Sequence, residues 1–81
     1  MTKDELQKMI VKAILEIAPD VEEDEIEFSA NIQRSLEIDS FDFLKILTAM
    51  NKNTGVEVPE ADYAKVGSVN EMAAYFLDHG A

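Results

Sequence analysis

The chain has 81 residues, 47% of them hydrophobic and 30% charged, with three Gly and two Pro, which fits one small globular domain over residues 1–81 and excludes a disordered or fibrous chain. A domain this small buries only about 60% of the surface its unfolded chain exposes, which disfavours a deep, shielded catalytic site, so no enzyme activity is expected. Seven Lys and Arg against 17 Asp and Glu give a net charge of −10, the wrong sign for nucleic acid or an anionic membrane and the right sign for partner proteins with basic patches.

Thr2 and Glu5 have the spacing of a capping box, and Leu6, Met9, Ile10, Ala13, Ile14 and Ile17 follow at three- and four-residue steps. A first amphipathic helix is predicted from Thr2 until Pro19 forbids its continuation. Between Pro19 and Ile38 six acids (Asp20, Glu22, Glu23, Asp24, Glu25 and Glu27) precede scattered apolar residues. That reads as a long loop, anchored by Ile26, Phe28, Ile32, Leu36 and Ile38, with a short helical turn near Asn31 to Leu36. Asp39 and Ser40 suit the cap of a second long helix running from Phe41 to Asn53, and Gly55 suits its left-handed stop. Phe43, Ile46, Leu47 and Met50 share its core face. Phe41, Lys45, Thr48 and Lys52 line another, so Phe41 is expected outside the core.

Val56 and Val58 lead extended into Pro59, a short helix is expected over Glu60 to Lys65, and Gly67 interrupts it. Ser68 with Glu71 repeats the capping box, and Val69, Met72, Ala73, Phe76 and Leu77 mark the apolar face of a last helix ending near His79 and Gly80. The predicted fold is all-α: a small four-helix bundle of three longer helices and one short third helix, with a long first loop. No alternating strand pattern occurs, and a monomer is expected.

Little in the sequence suits catalysis or a metal. His79 is the single histidine, placed at a chain terminus where a Ser, His and Asp triad is hard to assemble. The acids from Asp20 to Glu27 lack the turn glycine and later bidentate Glu of a calcium loop and read as a solvated charged segment, so no metal site is expected. Cysteine is absent, so any thiol chemistry needs a thiol supplied from outside. Met1 to Glu5 lacks a basic region followed by a long apolar run, and no stretch approaches the roughly 18 to 20 apolar residues of a membrane span. A cytoplasmic protein is expected.

The informative segment is Asp39-Ser40-Phe41-Asp42. An Asp and Ser pair at a helix start is common as a cap alone, but Ser40 also lies where helix amides and the helix dipole stabilise a negative group. The segment resembles the Asp-Ser-Leu motif of acyl carrier proteins. The resemblance extends to Leu36 upstream, to the passage from Gly55 to Pro59, to the short helix Glu60 to Val66, and to Ser68-Val69 followed by Tyr75-Phe76, covering nearly the whole chain. It implies that Ser40 receives 4′-phosphopantetheine from coenzyme A through a separate Mg²⁺-dependent phosphopantetheinyl transferase. Acyl groups would then be held as thioesters on that arm and presented to acyl-loading and acyl-transferring enzymes with basic docking patches, in fatty acid, lipid or specialised acyl metabolism. Asp39, Phe41, Asp42, Lys45, Thr48 and Lys52 would form the recognition face.

Four departures from the family pattern stand out. Glu37 occupies the place of a glycine two residues before the motif's aspartate, Phe41 replaces Leu, Tyr63 stands where a small residue is common, and Lys45, Asn51 and Lys52 replace acids. Charge reversal at a rim alters partner choice, so a dedicated partner set is expected. Phe28, Phe43, Leu47, Val58, Tyr63 and Val66 are candidate linings of an acyl pocket, with ordinary core as the alternative. An aminoacyl or peptidyl cargo, or an unmodified acidic helical adaptor or nucleic-acid mimic, are the other readings of the chain.

Overall fold

The computed structural model describes all of residues 1–81 and is an all-α bundle with no strand, 31 × 25 × 21 Å. The helices in chain order are α1 (Lys3–Ile17), α2 (Ile32–Ser35), α3 (Ser40–Thr54) and α4 (Val69–Asp78). Two 3₁₀ segments intervene, a single turn at Glu23–Glu25 and a longer one at Glu60–Val66. α1 packs against both α3 and α4, while the 3₁₀ helix Glu60–Val66 leans mainly on α4.

The ends of α1 follow local chemistry. Thr2 Oγ1 accepts from the Glu5 N–H, and the Glu5 carboxylate accepts from the Thr2 N–H at 2.9 Å, a complete capping box. That second bond holds the Glu5 carboxyl below the usual carboxylate range. The helix stops at Ile17, two residues ahead of Pro19. Leu6, Ile10 and Ile14 of α1, Ile46 and Met50 of α3, and Met72, Ala73 and Phe76 of α4 are completely buried. No buried side-chain nitrogen or oxygen lacks a partner.

The long first loop is fixed by its ends to the start of α4. The Ile32 N–H donates to the Gly67 carbonyl at 2.8 Å and the Asn70 N–H to the Phe28 carbonyl at 3.0 Å, and Asn31 and Ser68 form an isolated antiparallel bridge. A Cβ at Gly67 would come within 3.1 Å of Asn31 Nδ2, a tight contact that the end of the Asn31 side chain would have to relieve by a small shift. Gln7 of α1 donates to the Asn70 side chain of α4 at 2.8 Å.

α4 differs from the sequence reading in two respects. Ser68 accepts from the Glu71 N–H, but the reciprocal bond from the Ser68 N–H to the Glu71 carboxylate is not made, so the expected second capping box is only half formed. Ser68 is itself buried in the bridge with Asn31. Leu77, expected on the core face, is exposed, and Tyr75 is buried instead. Both flank the central stripe of α4; the 3₁₀ helix lies over the Tyr75 flank, where the Tyr75 hydroxyl reaches Asp62, and the other flank meets solvent.

Candidate functional site

α2 ends in a Schellman arrangement. The Ile38 N–H donates back to the Gln33 carbonyl at 3.0 Å, across Glu37 at φ 54°, the one non-glycine residue of the chain in the left-handed region. The turn buries Ile38 and delivers Asp39 in extended conformation as the N-cap of α3. Asp39 Oδ1 accepts from the Asp42 N–H at 2.8 Å, and the Asp39 carbonyl takes the Phe43 N–H at 3.0 Å. Ser40 is therefore the first residue of a 15-residue helix whose cap is supplied entirely by its neighbour.

That division of labour distinguishes Ser40 from the other serines. Ser68 also stands at a helix start, but it is buried and its hydroxyl is the cap. Ser35 ends the four-residue α2, and Ser29 lies in a turn. Ser40 alone combines an exposed hydroxyl, free of capping duty, with the N-terminus of a long helix. Asp39 leaves the Ser40 and Phe41 N–H groups without a partner in the chain. A phosphate ester on the Ser40 oxygen fits this position, since unpaired amides and the helix dipole both favour an anion.

The neighbours on α3 divide cleanly. Phe41, 78% exposed, stands free beside Ser40, while Phe43 two residues on is buried. Lys45, Thr48 and Lys52 are exposed and Asp42 is half-buried. Lys45 approaches Asp42 at 3.6 Å, a solvent-exposed pair that adds little stability but tempers the first-turn acid. The Thr48 hydroxyl donates to the Leu44 carbonyl at 2.9 Å, so its polar atom is already used by the helix.

Ser40 also opens onto a cleft of ≈ 530 Å³ between α3 and the 3₁₀ helix, lined in part by Phe43, Leu44, Tyr63 and Ala64, with Gln33 and Glu60 on its polar side. A second groove of ≈ 450 Å³ continues along α3, with Leu47, Thr48 and Asn51 on one wall and Glu57 and Val58 on the other. Leu44 and Tyr63 border both. Of the six candidate pocket residues, Phe43, Leu47, Val58 and Val66 belong to the buried core, with half-buried Tyr63 packed against it. Phe28 does not join them: it lies in a separate cleft with Lys8, Val11, Lys12 and Leu15 of α1, its carbonyl accepting from the Asn70 N–H of α4. Leu44 was not among the sequence candidates; its place one helical turn beyond Ser40 was the available signal.

On the other side of the 3₁₀ helix, the Tyr75 hydroxyl donates to Asp62 Oδ2 at 2.7 Å, and Lys65 Nζ approaches the same carboxylate at 3.3 Å. The Tyr75 hydroxyl, helped by Lys65, holds Asp62 below its usual range; the carboxylate and burial hold Tyr75 above its own. The His79 ring stacks on Tyr75 with centroids 3.9 Å apart and meets the Tyr75 carbonyl through Nδ1 at 2.8 Å. His79 thus sits on the opposite side of the 3₁₀ helix from Ser40. The acids of the first loop do not converge into a metal-binding group, and no helix is long and apolar enough to cross a membrane.

A family model described as a phosphopantetheine attachment site matches residues 8–76. The acyl carrier protein of Lactobacillus johnsonii is 30% identical over 79 residues, covering 98% of this chain and 98% of its own. That of Rubrobacter xylanophilus is 30% identical over 73 residues, covering 86% and 90%, and that of Zymomonas mobilis is 28% identical over 80 residues, covering 99% and 96%.

Proposed function

Because this chain belongs to the phosphopantetheine-attachment family of acyl carrier proteins, and so bears covalently attached 4′-phosphopantetheine, we propose that Ser40 is the residue to which the arm is joined. The single observation that carries this assignment is the division of roles at the start of α3, where Asp39 caps the helix and leaves the exposed Ser40 oxygen available. When bound, the group supplies the thiol that the sequence lacks, on a flexible arm that holds acyl groups as thioesters.

The residues of the chain do the rest. The free N–H groups at the mouth of α3 balance the phosphodiester charge. Phe41, with Asp42, Lys45, Thr48 and Lys52 along the exposed side of α3, is the recognition face for a phosphopantetheinyl transferase and for acyl-loading and acyl-transferring enzymes. The −10 net charge steers the carrier towards basic docking patches, while Lys45 and Lys52 restrict which of them it fits. Tethering raises the effective concentration of the cargo at whichever enzyme is docked. The whole chain, 1–81, acts as one cytoplasmic carrier domain serving fatty acid, lipid or specialised acyl metabolism. The cleft that opens beside Ser40, lined by Phe43, Leu44 and Tyr63, shelters the near end of an acyl chain.

Incubation with coenzyme A, Mg²⁺ and a broad-specificity phosphopantetheinyl transferase tests the reading directly. Intact mass should rise by one phosphopantetheinyl group. A protein that takes up none under conditions that prime another carrier contradicts it.

A further inference from the structure

We propose, building on the sheltering of an acyl chain beside Ser40, that Tyr63 is the residue that limits how far the chain can travel, and that the Asp62–Tyr75 hydrogen bond positions it. The cleft at Ser40 and the groove along α3 are two spaces with two common walls, Leu44 from α3 and Tyr63 from the 3₁₀ helix. Beyond that partition lie Leu47 and Val58, apolar residues well placed to receive the distal end of a longer chain. With the partition closed, a chain entering from Ser40 meets Phe43 and Leu44 and goes no further.

What keeps the partition closed is the seating of the 3₁₀ helix. This helix leans mainly on α4, not on α3, and Val66 is its only buried residue. Its polar tie to α4 is the bond from the Tyr75 hydroxyl to the Asp62 carboxylate at 2.7 Å, one residue from Tyr63. Lys65 steadies the same carboxylate from one helical turn away. Tyr75 is 7% exposed, so its ring is held by the core and its hydroxyl offers a fixed anchor. Asp62 and Tyr75 are positioning residues, and Tyr63 is the determinant of cargo length.

The experiment uses the full chain, primed and loaded with straight acyl groups from butyryl to palmitoyl, and reads proton cross-relaxation between the acyl chain and assigned side chains. In the unsubstituted protein, contacts should reach Phe43 and Leu44 at every chain length and stop short of Val58. In Tyr63→Ala, the longer chains should reach Leu47 and Val58. If that variant loses helicity, Tyr63→Val gives the same comparison with more of the side chain retained. In Tyr75→Phe, which keeps the buried ring, long chains should gain partial access to Val58, and the amides of residues 62–66 should exchange about fivefold faster, as expected for loss of one intramolecular hydrogen bond. Asp62→Asn, which keeps an acceptor for the Tyr75 hydroxyl, should retain the short reach of the unsubstituted protein.

Contacts to Val58 in the unsubstituted protein, or identical profiles in Tyr63→Ala and the unsubstituted protein, overturn the partition while leaving Ser40 as the attachment site. Unchanged exchange and unchanged reach in Tyr75→Phe overturn the positioning role. A loaded chain that touches neither Phe43 nor Leu44 overturns the sheltering reading and the partition together, and failure to load at all points to the attachment site instead.

Discussion

Tyr75 and Asp62 are joined by a 2.7 Å hydrogen bond that ties the last helix to the 3₁₀ segment flanking Ser40. Asp62 is depressed by the Tyr75 hydroxyl and Tyr75 is raised by the Asp62 carboxylate, so the folded protein prefers carboxylate and phenol more strongly than the unfolded chain does. Lys65 faces the same carboxylate, and His79 stacks on the tyrosine ring. The added stability is fully present between the ordinary carboxylate and tyrosine ranges. It is lost as pH falls through the depressed Asp62 value, and again as pH rises from about 10 through the raised Tyr75 value. Urea midpoints measured across pH should show a steeper alkaline decline for the unsubstituted protein than for Tyr75→Phe. Parallel declines would mean that the bond is not linked to folding.

Glu37 carries a side chain at φ 54° in the turn that delivers Asp39 and Ser40. A left-handed backbone costs a non-glycine residue roughly 1 to 2 kcal/mol, partly offset in a glycine variant by the greater freedom of its unfolded chain. Glu37→Gly should therefore stabilise the protein by up to about 1 kcal/mol, a rise in melting midpoint of at most about 4 to 8 °C for a domain of this size. Glu37→Ala, which keeps a Cβ, should not. A calorimetric scan that finds the glycine variant less stable than the alanine variant contradicts the strain.

Phe41 and Phe43 are two residues apart on one helix and have opposite environments. Phe43→Ala should cost about 3 to 5 kcal/mol, as truncation of a buried aromatic residue usually does. Phe41→Ala should leave stability within about 0.5 kcal/mol and instead weaken binding to a transferase. Equal stability losses in chemical denaturation would place Phe41 in the core.

Lys45 and Lys52 are exposed on α3. Replacing both with Glu should change stability by no more than about 0.5 kcal/mol, since the Asp42–Lys45 pair is a surface one. Association with a partner bearing a basic patch should quicken at low ionic strength, and the gain should fade as salt is added. An effect that persists undiminished at high salt would point to a contact other than charge.

Much of this architecture was legible in local chemistry. Thr2 with Glu5, Asn31 to Leu36, Asp39 and Gly55 announce helix ends through hydrogen bonds made within a few residues, and three- and four-residue spacing separated Phe43 from Phe41. What escaped depends on elements that meet only in three dimensions. Leu77 and Tyr75 flank the same stripe of α4, and only the 3₁₀ helix lying over one side decides between them. Ser68 reads as one half of a capping box, and its burial against Asn31 comes only from the bridge between the first loop and α4. Phe28 shared an apolar character with the pocket residues but not a location, since it lies in a cleft with α1. The site followed the same pattern: the motif at Asp39 and Ser40 could be read, whereas the capping by Asp39 alone, the left-handed Glu37 and the wall formed by Leu44 required the fold.

The most direct measurement of the central claim is localisation of the added mass. After priming, fragment ions should place one phosphopantetheinyl group on Ser40, and Ser40→Ala should remove the mass gain while leaving helix content unchanged. A full gain in Ser40→Ala, or an adduct on Ser29, Ser35 or Ser68, would contradict the account.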